Sequence, residues 1–387
     1  MSNTTATWFL HQWKNPSDIS TVLSIVGESG RSISPVAFSF GWVGNVSMMF
    51  TIIGNESLMP QPDYSAIVIN AKTGYVRHNG SWVLGRMLRD YWYWQDADIE
   101  ATGKGGSVDD QNHRIARFEI RKGLRLAFYY DIPGDGKPAS DSMTWLGYCV
   151  AILQIGIAIV PVARYGEWLT LLITLVGTVM AFITGSLPIW YEEKLNCRKE
   201  STKNVLITAG NGAYDVIAIL GQGGLDMEDL AACSARHSRQ SLVVKVAFSA
   251  VALGWLVMII SVAGYCENTR YLLGIGIVGM MQNTIIASAP RRPETFGIHL
   301  RYHTTISDIK VMKVLAAAEA THPRLGLSLL PVFFPGHLQP REVEFWDYAR
   351  RRADAYDTAR TSDPTATICP LPSLLGNEMI PKTGFLN

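Results

Sequence analysis

Five separated apolar stretches, each about as long as a bilayer is thick, constrain this chain more than any other feature. They run from Pro35 to Gly54, Met143 to Val162, Trp168 to Trp190, Val246 to Tyr265 and Tyr271 to Ala289, and none contains Asp, Glu, Lys or Arg. A helix rises about 1.5 Å per residue, so roughly 20 apolar residues cross a hydrocarbon core of about 30 Å. Lipid offers the backbone no hydrogen-bond partner, so a crossing segment has to be helical. The expected class is mainly α and membrane-embedded, with about five transmembrane helices and small α+β cytoplasmic loops.

The spans take up about a quarter of the 387 residues, which is why the mean hydropathy is only +0.12. Clustering is more telling than the average, because core helices of soluble proteins are usually shorter and show polar residues every third or fourth position. The net charge of +1, from 34 basic and 33 acidic residues, gives no general attraction for nucleic acid or anionic lipid, so local charge matters more. The N-terminus, MSNTTATWFLHQWKNPSD, lacks the basic start and compact apolar run of a cleaved signal peptide, so insertion is expected to rely on the first span. Cys149, Cys197, Cys233, Cys266 and Cys369 are scattered without a CxxC pair, which argues against a disulfide framework.

Five spans put the long segments 55–142, 191–245 and 290–387 on one side. The short turns 163–167 and 266–270 then fall on the other. Lys194, Arg198, Lys199, Lys203, Arg236, Arg239, Lys245, Arg291 and Arg292 flank the spans on the long-segment side, against only Arg164 and Arg270 in the short turns. The positive-inside rule makes the long segments cytoplasmic and leaves the tail 1–34 outside. Arg31 before the first span and Glu56 and Asp63 after it favour the opposite orientation locally. Of the sequons at Asn3, Asn55 and Asn79, only Asn3 is a glycosylation candidate in this topology; the other two weigh for its reverse.

Within the spans, Gly177, Ala181 and Gly185 line one helix face at four-residue intervals, a pattern that permits close helix packing. GIGIVG (Gly274 to Gly279) fits a dinucleotide-binding string, but no strand precedes it and it lies at membrane depth. The uncharged polar residues of the spans include Asn45, Gln154, Thr170, Thr174, Thr178, Thr184, Gln282 and Asn283; interhelical hydrogen bonding is their expected role, with a cavity lining as the alternative. No ionisable residue marks an ion or proton path.

Between the spans, SAIVIN (Ser65 to Asn70) reads as a strand, KTG as a turn, and Ser81 to Trp94 as an amphipathic helix capped by Ser81, its aromatic face suited to the membrane interface. Asp96 to Asn112 reads as a mobile loop. ARFEIRKG and RLAFYYDIPG after it read as a hairpin. NVLIT and YDVIAIL flank AGNGA as a second hairpin, followed by a short acidic helix in LDMEDLA (Leu225 to Ala231). These strands are expected to make small caps. LGLSLLPVFFPG (325–336) is too short and too proline-broken to cross, so it is expected to lie along the interface or re-enter it, and the tail after Arg350 reads as disordered.

Signals for chemistry are sparse. His299 and His303 form HxxxH, which on a helix shares one face, yet companions for a metal are missing; Cys233 and His237 likewise lack a tetrad. Asp96, Asp98, Glu100, Asp109 and Asp110 lie in the expected loop and do not form DDxxD. Glu192 and Glu193, in PIWYEEK at the end of the third span, stand where a carboxylate meets a lipid-soluble substrate, although acids beside Lys194 are also ordinary boundary residues. With Asp90 they are the candidate general acids. No GxSxG, P-loop or HExxH is present, and neither cofactor nor metal is expected.

Several strings together resemble a family of multi-pass membrane proteins of filamentous fungi: HQWKNPSD, PVAFSFGWV, VIN with TGYVR, LGRMLRD, LPIWYEEK, GNG, LDMEDLA, GIGIVGMMQN and LPVFFPG. Members of that family have longer apolar stretches where VLSIVGESGRSIS (22–34) stands here. The resemblance implies a membrane location and proximity to specialised-metabolite genes; it implies no catalytic residue. The expected function is an accessory, scaffold or carrier protein that partners the lipid bilayer and, as a candidate ligand, a hydrophobic metabolite, and not nucleic acid. The alternative is a membrane enzyme of isomerase or cyclase type, using Glu192, Glu193 or Asp90 as acid on a lipid-like intermediate.

Overall fold

The structure, a computed structural model, describes residues 59, 61–95, 123–134, 138–186, 193–232, 242–263 and 269–362. The chain divides into a helical unit and an α/β unit.

The helical unit holds α2 (Ser142–Tyr165), α3 (Leu169–Gly185), α5 (Leu242–Ala263) and α6 (Thr269–Ser288). Asp141 caps α2 by accepting the Thr144 N–H, and Gly166, in the left-handed region at φ 72°, ends it. Helix α2 packs on α3 and α6, and α3 packs on α5. Among the described residues two helices, α2 and α6, are long and apolar enough to cross a membrane by length and composition. Only 17% of each apolar window is buried, unlike core helices of a soluble protein. Five spans were expected. The first, 35–54, lies outside the described residues, α3 has 17 residues, and the apolar stretch described within α5 is Lys245–Trp255.

The amide of Gln154 donates to the Ile275 carbonyl at 3.1 Å, an interhelical bond of the expected kind. The threonines behave differently. Thr174, Thr178 and Thr184 each donate to the carbonyl four residues earlier in their own helix at 2.8 Å. A hydroxyl one bond from Cβ reaches that carbonyl without any neighbour, so these side chains need no second helix.

The α/β unit contains a six-stranded sheet in the order β2-β1-β5-β6-β3-β8. Its strands are β1 (Ile67–Asn70), β2 (Val76–His78), β3 (Leu124–Asp131), β5 (Val205–Thr208), β6 (Asp215–Gly221) and β8 (Leu300–Asp308), while β4 (Lys199–Ser201) and β7 (Gly224–Leu225) form a separate pair. Neighbours run antiparallel except β3 and β6, which are parallel. The β5–β6 hairpin forms as its sequence indicates, with Gly210 and Gly212 supplying φ of 105° and 86°.

Strands drawn from all three long segments thus build one domain, which corrects the expectation of small separate caps. Each segment alone has too few strands to bury its apolar residues; combined, they cover both sheet faces. One face of β3 carries Leu124, Leu126 and Phe128 into a core with α7 (Val311–Thr321), α8 (Leu325–Phe333) and α9 (Pro340–Ser362). The other face meets α1 (Trp82–Arg89) and the helical residues 91–95 beyond it: Trp94 lies edge-on to Tyr129 at 5.2 Å, and Trp82 edge-on to Phe296 at 5.9 Å. Helix α4 (Met227–Ala231), capped by Asp226, lies beside β1 and β2.

Further expectations are corrected, in whole or in part. Both edges of β3 are taken, by β6 and β8, and ARFEIRKG up to residue 122 lies outside the described residues. The segment 325–336 is a core helix; Leu325, Leu329 and Phe333 are buried against the sheet, where their apolar run is satisfied without lipid. The chain remains helical from Arg350 to Ser362, with Phe345, Trp346 and Ala349 of α9 in that core, and the rest of the tail, 363–387, lies outside the described residues. Trp82, Tyr91 and Trp94 are buried within the domain and are not free for an interface, whereas Trp92 and Tyr93 face outward.

Candidate functional site

The strongest chemical feature lies at the carboxyl end of the parallel pair β3–β6. Asp131 closes β3, opposite Gly221 of β6 and Leu300 of β8, and is 2% exposed. Its carboxyl accepts the Leu225 N–H and presses on Gly224, where a Cβ would collide with it. A side chain at position 224 would have to displace that carboxyl. The next residue, Ile132, donates its N–H to the His299 carbonyl at 3.0 Å. Burial pushes the Asp131 carboxyl up to about 7, with the Leu225 N–H pulling weakly the other way. A carboxyl so placed exchanges its proton near neutral pH, and open α/β sheets bind ligands beyond the carboxyl ends of their strands. The sequence analysis missed Asp131; its signal is an acid closing the otherwise buried strand LRLAFYYD.

A second buried acid has a structural role. Glu319 is 0% exposed and accepts the N–H groups of Arg324 at 2.8 Å and Leu327 at 3.1 Å, thereby capping α8. Burial pushes it up to about 7 as well, opposed by those N–H donors and by Arg352. Lys203 is raised by its bond to Asp226, 2.8 Å away, and also meets Glu228 at 3.1 Å. Glu228 accepts from the Asn70 amide at 2.6 Å, so this network ties α4 to β1 and the start of β5.

The candidate acids named from sequence do not converge. Asp90 is buried at the end of α1, bonded to Arg89 Nε at 2.7 Å and to the Arg291 N–H at 3.1 Å. Glu193 belongs to the helical unit and accepts the Met59 N–H at 3.4 Å. Glu192 and Asn3 lie outside the described residues, as do Asp96, Asp98, Glu100, Asp109, Asp110, Cys233 and His237. Asn79 is buried, and its amide donates to the Ser81 carbonyl at 2.8 Å, an environment unsuited to a glycan, while Asn55 lies outside the described residues. Ser81 takes the N-cap position of α1 without a capping bond from its side chain.

His303 lies in β8 and His299 just before it, so HxxxH is not on a helix. The His303 ring lies tilted 4.9 Å from Tyr130, and the His322 ring tilted 5.6 Å from Phe128. Burial, and secondarily His303, holds His322 below its ordinary value. Among the described residues no group of three or more His, Cys, Asp or Glu is arranged to hold a metal ion. In the helical unit, Gly177 faces Met258, whose Cε would stand 3.6 Å from a Cβ at that position, Ala181 packs on the cluster of Ile173, Trp255 and Met258, and Gly185 is exposed.

No family model, curated protein or solved structure matches this chain.

Proposed function

We propose that this chain is a multi-pass membrane protein in which two apolar helical pairs anchor one α/β domain, serving as an accessory, scaffold or carrier protein. One observation carries the reading. The single sheet takes β1, β2 and β3 from the segment before α2–α3, β5 and β6 from the segment before α5–α6, and β8 from the segment after them. A sheet cannot be divided by a bilayer, so each intervening pair leaves and returns to the same side. The flanking arginines and lysines place that side in the cytoplasm. A place in fungal specialised metabolism rests on the sequence resemblance alone.

The test is alkaline extraction of membranes followed by protease protection, with tags in segments 96–112 and 233–240 and at the C-terminus. Retention in the membrane with all three tags equally protected in sealed, right-side-out vesicles is expected. Release by alkali, or tags of differing accessibility, overturns the reading.

Asp131 favours a second reading, a membrane-anchored enzyme of isomerase or cyclase type, because it supplies a buried carboxyl that is partly protonated near neutral pH. Metabolite profiling of a deletion strain separates the two readings. An unconverted precursor that wild type restores, and Asp131→Asn, Glu192→Gln or Glu193→Gln does not, selects the enzyme. Normal conversion with altered transport selects the carrier.

A further inference from the structure

The geometry points to Trp92 and Tyr93, flanked by Arg89 and Arg292, as an anchor that seats the α/β domain on a phospholipid surface. This inference rests on the membrane reading above.

The four aromatic residues after α1 divide into two pairs. Tyr91 and Trp94 are buried and edge-on to each other at 4.9 Å, whereas Trp92 is 64% and Tyr93 46% exposed, with their own rings 6.1 Å apart. A buried pair fixes the turn to the sheet, so the outward pair is held on a rigid base. Exposed Trp beside Tyr is costly in water and favourable at a bilayer boundary, where the ring enters the acyl margin and the polar atom stays wet.

The location supplies the partner. Asp90, two residues before Trp92, holds the backbone of Arg291, the first residue of the domain after α6 and three positions beyond its end at Ser288. The other connection lies alongside: Ala139, three residues before α2, donates its N–H to the Glu294 carbonyl at 3.0 Å. Thus the chain passes between the domain and the helices α2 and α6 within a few residues of contacts made by Asp90 and Glu294, beside the aromatic pair. At about 3.5 Å per extended residue, this tether keeps Trp92 within reach of the headgroup layer.

Charge at this edge suits headgroup phosphate. Arg86, Arg89, Arg291 and Arg292 stand against Asp63, Asp90 and Glu294. Arg86 is buried on Asp63 and on the Trp82 ring, while Arg89 and Arg292 keep part-exposed guanidinium groups that can each add a phosphate oxygen to their acidic partner.

The test uses full-length protein reconstituted in phosphatidylcholine–phosphatidylserine vesicles. One sample carries an environment-sensitive thiol label at Trp92→Cys and the other at Tyr75→Cys, both with the native cysteines replaced. Tyr75 is 54% exposed in the β1–β2 turn, at the opposite edge of the sheet from β8. The label at 92 is expected to be quenched by headgroup-region spin-labelled lipid and to show a several-fold smaller iodide quenching constant than the label at 75. Equal iodide quenching at both sites, in protein that floats with the vesicles and resists alkali, overturns this inference alone. Protein that fails to float overturns the membrane reading and this inference with it.

Discussion

The Asp90 carboxylate accepts the backbone N–H of Arg291 at 3.1 Å across 201 positions of sequence. It joins the end of α1 to the chain emerging from α6, and its other oxygen receives Arg89 Nε at 2.7 Å. The acid is buried, so removing it leaves both donors unanswered. Asp90→Ala is expected to destabilise the α/β domain by about 2–3 kcal/mol. Limited proteolysis in detergent should then show faster cleavage between α6 and β8. Unchanged cleavage and unchanged thermal unfolding reject this role.

Asp131 makes the stability of the domain depend on pH. Its folded value, about 7, lies above the ordinary 3.8, so the folded state holds the proton more tightly. The stabilisation is therefore complete below about pH 4 and is lost as pH rises through 7, a change on the order of 4 kcal/mol. Asp131→Asn should flatten that part of the profile and leave the variant more stable than wild type at pH 8, as read from denaturation midpoints at pH 5 and 8.

Glu319 shares the same direction of pH dependence but adds a cap. Glu319→Ala leaves the N–H groups of Arg324 and Leu327 without their acceptor and is expected to cost about 2–3 kcal/mol. Glu319→Gln keeps a carbonyl acceptor and should cost less while removing its share of the pH slope. Equal losses for the two variants would show that the cap contributes nothing.

Arg324 stands in the left-handed region at φ 72°, while its side chain reaches Asp354 at 2.6 Å and Asp357 at 2.7 Å. Alanine and glycine both remove the ion pairs, but only glycine relieves the backbone. Arg324→Gly is expected to be about 1 kcal/mol more stable than Arg324→Ala in parallel urea titrations.

Cys149 is exposed on α2, seven residues beyond Ser142. With the other cysteines replaced, it should resist a membrane-impermeant maleimide in intact membranes and react after solubilisation. Rapid labelling in both states removes α2 from the bilayer.

The sequence was most legible where the physics is local. The β5–β6 hairpin, the short acidic helix α4 and the apolar lengths of α2 and α6 follow from turn glycines, the acidic string LDMEDLA and span length. It was least legible where partners are distant. Strand β3 pairs with β6 and β8, about 90 and 180 positions away, and nothing near RLAFYYD names either. Asp131 was missed for the same reason, since its shift arises from burial by residues brought in from 224 and 225.

By itself the sequence determined that long uncharged apolar helices are present, because fifteen to twenty consecutive apolar side chains have few other ways to satisfy their backbone. Tertiary structure alone decided that the polar segments between them form one domain. The apolar run from Leu325 to Phe333 shows why: composition sets how strongly a helix avoids water, but only the presence of a six-stranded sheet with an uncovered face decides whether it is buried in protein or in lipid.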